Sequence, residues 1–139
     1  MTAQSDNIRP GWDCYMLNIA EAVSARGECV RSKVGAVLVH NRRIIATGYN
    51  GVAAGQPSCL DGVCPRANNS VPRGTPYSDS DGRCIAIHAE INAIHDAEQR
   101  EIKIQPGDTM YLTKEPCEEC APIMAAYGLR VVWRDVTRD

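Results

Sequence analysis

At 139 residues, 44% of them hydrophobic and 23% charged, the chain has the length of one domain and the composition of an ordinary folded one. A net charge of −2 and a pI of about 5.9 exclude the basic footprint of a nucleic-acid-binding protein, and no apolar run is long enough to cross a membrane. Phe is absent, so aliphatic side chains must fill the interior.

Residues 1–10 are polar and lack the apolar core of a secretory signal, which places the protein in the cytoplasm. Residues 12–26 predict an amphipathic helix. Trp12, Tyr15, Met16, Ile19, Ala20 and Val23 recur at helical spacing, and Gly27 stands where a terminating glycine belongs. Two short strands follow, over 34–39 and 43–49, with Asn41-Arg42 as a tight hairpin turn. Arg26, Arg31, Lys33, Arg42 and Arg43 form a mild basic cluster. It reads as solvated surface, in which one or two side chains are able to hold a single phosphate.

Residues 50–83 are rich in Gly, Pro, Ser, Asn and Asp and show no period. A loop of that length in a compact domain is functional or tied down. A second helix spans 88–99, with Ile87, Ile91, Ile94 and Ala97 on its apolar side. Residues 109–113 are a strand, 117–127 a helix ended by Gly128, and 130–133 a final strand. The order αββαβαβ predicts an α/β fold with helices covering a sheet. Its first pair should be antiparallel and its later βαβ unit parallel.

Two short motifs carry the chemistry. His88-Ala89-Glu90 opens the second helix, and Pro116-Cys117-Glu118-Glu119-Cys120 opens the third. Together they match the H-x-E…P-C-x-x-C pattern of zinc deaminases. Cys117 and Cys120, three apart, share a helical face in a first turn, where the helix dipole favours thiolates. His88 adds a third ligand. Three protein ligands leave a fourth zinc position for water, the catalytic arrangement.

Glu90 is then not a ligand. Residues two apart in a helix point about 200° away from one another, so His88 must sit at the helix edge for both side chains to reach one centre. Glu90 is left to move protons. His95 and His40 read as surface or packing residues.

On these motifs, together with Ser32-Lys33-Val34-Gly35-Ala36-Val37, Gly48-Tyr49-Asn50-Gly51, the extension Ile91-Asn92-Ala93-Ile94 and Tyr111-Leu112-Thr113, the chain from about 12 to 134 resembles the deoxycytidylate (dCMP) deaminase family of the cytidine deaminase-like superfamily. The resemblance implies a three-layer α-β-α fold with a mixed sheet. It implies one zinc-dependent domain over 1–139, with 50–83 as the family's insertion, and deamination of dCMP to dUMP. Among substrate-binding candidates, it places Asn50 at the sugar and the hairpin region at the 5′-phosphate. Arg31, Lys33 and Ala89 complete that set.

Members often carry a second, structural zinc. Cys29, Cys59 and Cys84 sit at matching places, and Cys64 is the natural fourth ligand of a Cys₄ site. Cys14, inside the first helix, is expected to be a buried thiol instead. A homo-oligomer follows from the family and from the exposed edge expected of the last strand. Nucleoside triphosphate effectors are known in some members, though Val52-Ala53-Ala54-Gly55 replaces a segment that often carries Pro.

Rival readings are weaker. Free-cytidine enzymes usually begin their motif with Cys-Ala-Glu, a tRNA-adenosine enzyme needs a basic surface, and a single-stranded DNA enzyme needs more aromatics. A guanine deaminase shares the zinc site and stays open. A non-enzymatic zinc module has no use for Glu90.

Overall fold

A computed structural model describes residues 8–29, 32–52, 55–62 and 87–136. The elements run α1 (Trp12–Ser24), β1 (Gly35–His40), β2 (Arg43–Tyr49), a 3₁₀ turn (Cys59–Asp61), α2 (Ala89–Gln99), β3 (Thr109–Leu112), α3 (Cys120–Ala126) and β4 (Arg130–Trp133). The sheet order is β2-β1-β3-β4. β1 is antiparallel to both β2 and β3, whereas β3 and β4 run parallel. The antiparallel hairpin and the parallel βαβ unit were both expected. The placement of β3 beside β1 is a long-range pairing with no local signal.

Alternation along the strands builds the two faces. Val37, Val39 and Tyr111 meet Met16, Leu17 and Ala20 of α1 on one side. Ala36, Leu38, Ala46, Met110 and Leu112 meet α2 and α3 on the other. The result is three layers, α-β-α. Leu38, Met110 and Leu112 are fully buried, each such side chain contributing about 1.5–3 kcal/mol.

Helix α2 approaches the sheet through Ala89, Ala93 and Ala97, all buried and four residues apart. Opposite them, Gly48 of β2 has no room for a side chain. A Cβ there would meet the Ala89 carbonyl and the Ala93 backbone. Alanine stripe and glycine together set α2 close to β2.

The hairpin turn has φ of 48° at Asn41 and 63° at Arg42, the positive pair that a type I′ turn requires. The Arg42 guanidinium lies 5.3 Å from the Trp12 ring centre.

Some sequence expectations shift. α1 stops at Ser24, and Trp12 and Tyr15 at its outer end are 48% and 45% exposed. They were assigned to the apolar stripe, but they pack edge to face on one another, and Trp12 lies under the Arg42 guanidinium instead of entering the core. Cys14, expected to be buried, is exposed. The third helix begins at Cys120 rather than 117. No helix among the described residues is long and apolar enough to cross a membrane.

Candidate metal centre

The centre forms at one end of the sheet, where β2 and β3 finish and β1 begins. There the chain is braced by polar side chains that close backbone gaps. The Asn50 side chain accepts from Val34 N at 2.9 Å and donates to Ser32 O at 2.7 Å. The Asn92 amide donates to Tyr49 O at 2.8 Å and to Gly51 O at 3.2 Å. Gly51 pairs with Ile87, the residue before His88. Thr113 Oγ1, fully buried, accepts from Gly35 N at 3.0 Å. Glu28 accepts from Val52 N at 3.0 Å. Segments 28–34, 49–52 and 87–92 are thereby tied into one unit.

His88 caps α2 in an extended conformation, φ −64° and ψ 150°. This is the helix-edge position that the spacing of His88 and Glu90 demanded. Its Nδ1 lies 3.1 Å from Cys120 Sγ and 3.3 Å from Cys117 Sγ. Cys120 opens α3. Cys117 stands in the turn before it, and its carbonyl accepts from the backbone N–H of Cys120 and Ala121 at 3.2 and 3.0 Å. A helical turn therefore starts at Cys117 although the regular helix does not, and both sulfurs reach the same point.

The ligand atoms of His88, Cys117 and Cys120 all lie within 4.8 Å of one another. Tetrahedral zinc with the usual bond lengths requires N–S and S–S separations of roughly 3.6–3.8 Å. The nitrogen–sulfur pairs here, at 3.1 and 3.3 Å, are about half an ångström tighter than that. One imidazole and two thiols are donors that favour zinc over magnesium or calcium. The described residues offer three such donors here, the number a catalytic zinc site takes from protein while keeping its fourth position for water.

The electrostatics agree. The Cys120 thiol donates to Cys117 and, with His88, lowers the Cys117 pKa to about 3. The same hydrogen bond to Cys117, with burial, pushes Cys120 upward. The pair thus shares one proton, which metal binding would release. His88 is pushed up chiefly by its hydrogen bond with Cys117. Glu90, only 5% exposed in the first turn of α2, is pushed up by burial. It lies within reach of Cys120 but outside the three-ligand group. A buried carboxyl raised toward neutrality, beside an open metal position, suits proton transfer.

Of the other candidates, Asn50 is buried at this end of the sheet, Lys33 is exposed near it and Ala89 is the buried first residue of α2. Arg31 lies outside the described residues. Of the hairpin region, Lys33 before β1 lies at this end, and the turn itself does not. Asn41-Arg42 closes the opposite end of β1 and β2, about 20 Å away for six residues at ~3.3 Å each. For the second zinc site, Cys29 is buried. Cys64, Cys84 and the Cys59 side chain fall outside the described residues. His95 is exposed, while His40 Nδ1 pairs with buried Asp108 at 2.5 Å. Sequence reasoning missed Asn92, Thr113 and Glu28 as braces. Asn92 and Thr113 stood inside motifs already noted, but their backbone partners come from distant segments.

The family described as cytidine and deoxycytidylate deaminase zinc-binding region matches residues 10–134. A deoxycytidylate deaminase of Mycobacterium phage D29 is 46% identical over 127 residues, covering 90% of this chain and 95% of that one. A deoxycytidylate deaminase of Schizosaccharomyces pombe is 33% identical over 127 residues, and there the chain spans only 38% of the relative. The dCMP deaminase of cyanophage S-TIM5, solved in complex with dCMP and dUMP, superposes with a TM-score of 0.69 at 27% identity, covering 92% of this chain and 84% of that one. The chain belongs to the cytidine and deoxycytidylate deaminase family.

Proposed function

We propose that this chain hydrolyses dCMP to dUMP and ammonia, with His88, Cys117 and Cys120 holding zinc and Glu90 carrying the protons. The observation behind the reading is the convergence of one imidazole and two thiols within 4.8 Å, beside a carboxyl that is buried and not part of the cluster. The substrate rests on the relatives: the phage D29 protein shares the activity's name and most of its length, and the cyanophage enzyme was solved with dCMP and dUMP.

When bound, zinc supplies Lewis-acid activation, lowering the pKa of a water to about 7. The net reaction forms a C4–O bond to an oxygen from water and breaks the C4–N bond to the amine. Glu90 takes a proton from the attacking water and places it on N3 of the cytosine ring, then takes the second proton from the new C4 hydroxyl and gives it to the departing amine. Its burial keeps that proton from bulk solvent. Asn50 and Lys33, at the same end of the sheet, are the groups we assign to the sugar and the phosphate.

The test is Glu90→Gln, which removes the proton acceptor but keeps the shape. Zinc content should stay at the wild-type level while deamination of dCMP falls by at least ~10²–10⁴-fold, the usual weight of general acid–base catalysis. Near-normal turnover at normal zinc content would remove Glu90 from the mechanism.

A further inference from the structure

Ser32 is 5% exposed, and its hydroxyl is a buried side-chain polar atom without a hydrogen-bond partner. Buried polar atoms are nearly always paired, so an orphan needs a reason. Its neighbours do not leave it alone by accident. Asn50 takes the Ser32 carbonyl at 2.7 Å and the Val34 N–H at 2.9 Å. The backbone around Ser32 is therefore pinned, and only the hydroxyl remains over. The residue after Asn50 pairs with Ile87, next to His88, which puts Ser32 at the end of the sheet where the metal centre forms.

Two cations stand near it, and the Glu28 carboxylate of the junction already accepts from Val52 N. Lys33 is exposed beside Ser32, and the Arg26 guanidinium stands 5.6 Å from the Tyr49 ring centre, one residue from Asn50. Neither cation forms an ion pair among the described residues. A hydroxyl donor backed by cations matches a phosphate monoester, whose oxygens accept strong charge-assisted hydrogen bonds.

We propose that Ser32 is a substrate-binding residue whose hydroxyl donates to the 5′-phosphate of the bound nucleotide. The inference deepens the nucleotide reading and rests on it. Ser32 then separates nucleoside monophosphates from free nucleosides, and its cost in the ligand-free protein is recovered on binding.

The test uses the zinc-loaded full chain, with binding read by thermal shift so that it does not depend on turnover. The variants are Ser32→Ala and Ser32→Cys, the second keeping the volume while weakening the donor. The expected result is dUMP binding weakened about 10- to 100-fold in both variants, with little change for deoxyuridine. The melting temperature of the ligand-free variants should be unchanged or higher, because an unpaired buried hydroxyl has been removed. A structural serine would instead lower that temperature and affect both ligands alike. Unchanged dUMP affinity in either folded variant overturns the proposal, as does a matching loss for deoxyuridine or a wild-type protein that dUMP fails to stabilise. Absence of dCMP turnover in a wild-type protein that still binds dUMP through Ser32 would count against the proposed reaction alone.

Discussion

Gly48→Ala tests whether the packing of α2 on β2 sets the geometry of the metal centre. The added Cβ would lie 2.9 Å from the Ala93 Cα and closer still to the Ala93 nitrogen and the Ala89 carbonyl. Real Cβ contacts need roughly 3.4 Å or more, and backbone atoms cannot rotate aside as a side chain can. The helix must retreat by about 0.5–1 Å or the strand must bow outward. Overpacking of this kind costs about 1–3 kcal/mol. The same helix carries His88 at its cap and Glu90 in its first turn, while Cys117 and Cys120 hang from the β3–α3 connection and do not follow. A misplacement near 1 Å can cost about 10²-fold in rate. Urea denaturation should therefore show a lower midpoint with an unchanged slope, and deamination by folded protein should fall by one to two orders of magnitude. A variant with wild-type midpoint and wild-type turnover would refute the argument that Gly48 holds α2 in register.

Two further outcomes are expected. In metal-depleted protein, half-buried Cys117 should react with iodoacetamide at neutral pH, as its lowered pKa requires, and zinc should protect it while exposed Cys14 reacts either way; equal labelling of Cys117 with and without zinc, read by mass spectrometry, removes it from the metal centre. β4 is an outer strand with Trp133 45% exposed, and an open strand edge invites pairing with another chain, so light scattering at micromolar concentration should give a mass above 15.2 kDa; a monodisperse monomer contradicts this.

The sequence disclosed the parts of the site whose spacing is local. His88 and Glu90 are two apart, and Cys117 and Cys120 three apart, so the two motifs and helical spacing together separated the three proposed ligands from the proposed proton carrier. The hairpin was equally legible, since Asn41-Arg42 between two apolar runs specifies its own turn. What stayed hidden depends on residues far apart in the chain. The antiparallel pairing of β3 with β1 joins residues 109–112 to 36–39, and no period or turn announces it. That pairing also puts the end of β3 beside the start of β1, so the hairpin turn falls at the far end of the sheet and Lys33 at the near one. The exposure of Trp12 likewise goes with a long-range contact, the Arg42 guanidinium of the hairpin turn over its ring.

The polar residues at the metal end follow one physical rule, which separates support from function. An irregular junction of three segments leaves backbone N–H and C=O groups without sheet partners, and burial makes each gap costly. Asn50, Asn92 and Thr113 each close such a gap, with partners 16 to 78 residues away for Val34, Tyr49 and Gly35. Asn92 and Thr113 are largely spent on holding the chain, and Asn50 holds it with Oδ1 and one amide hydrogen, leaving the second for the sugar we assign to it. Glu90 and Ser32 are buried at the same end and close no gap of this kind: one faces the metal ligands, and the other has an unpartnered hydroxyl. A fold tolerates such groups where something outside the chain completes them. The two side chains left over by the bracing are therefore those that a bound nucleotide and its attacking water have to satisfy.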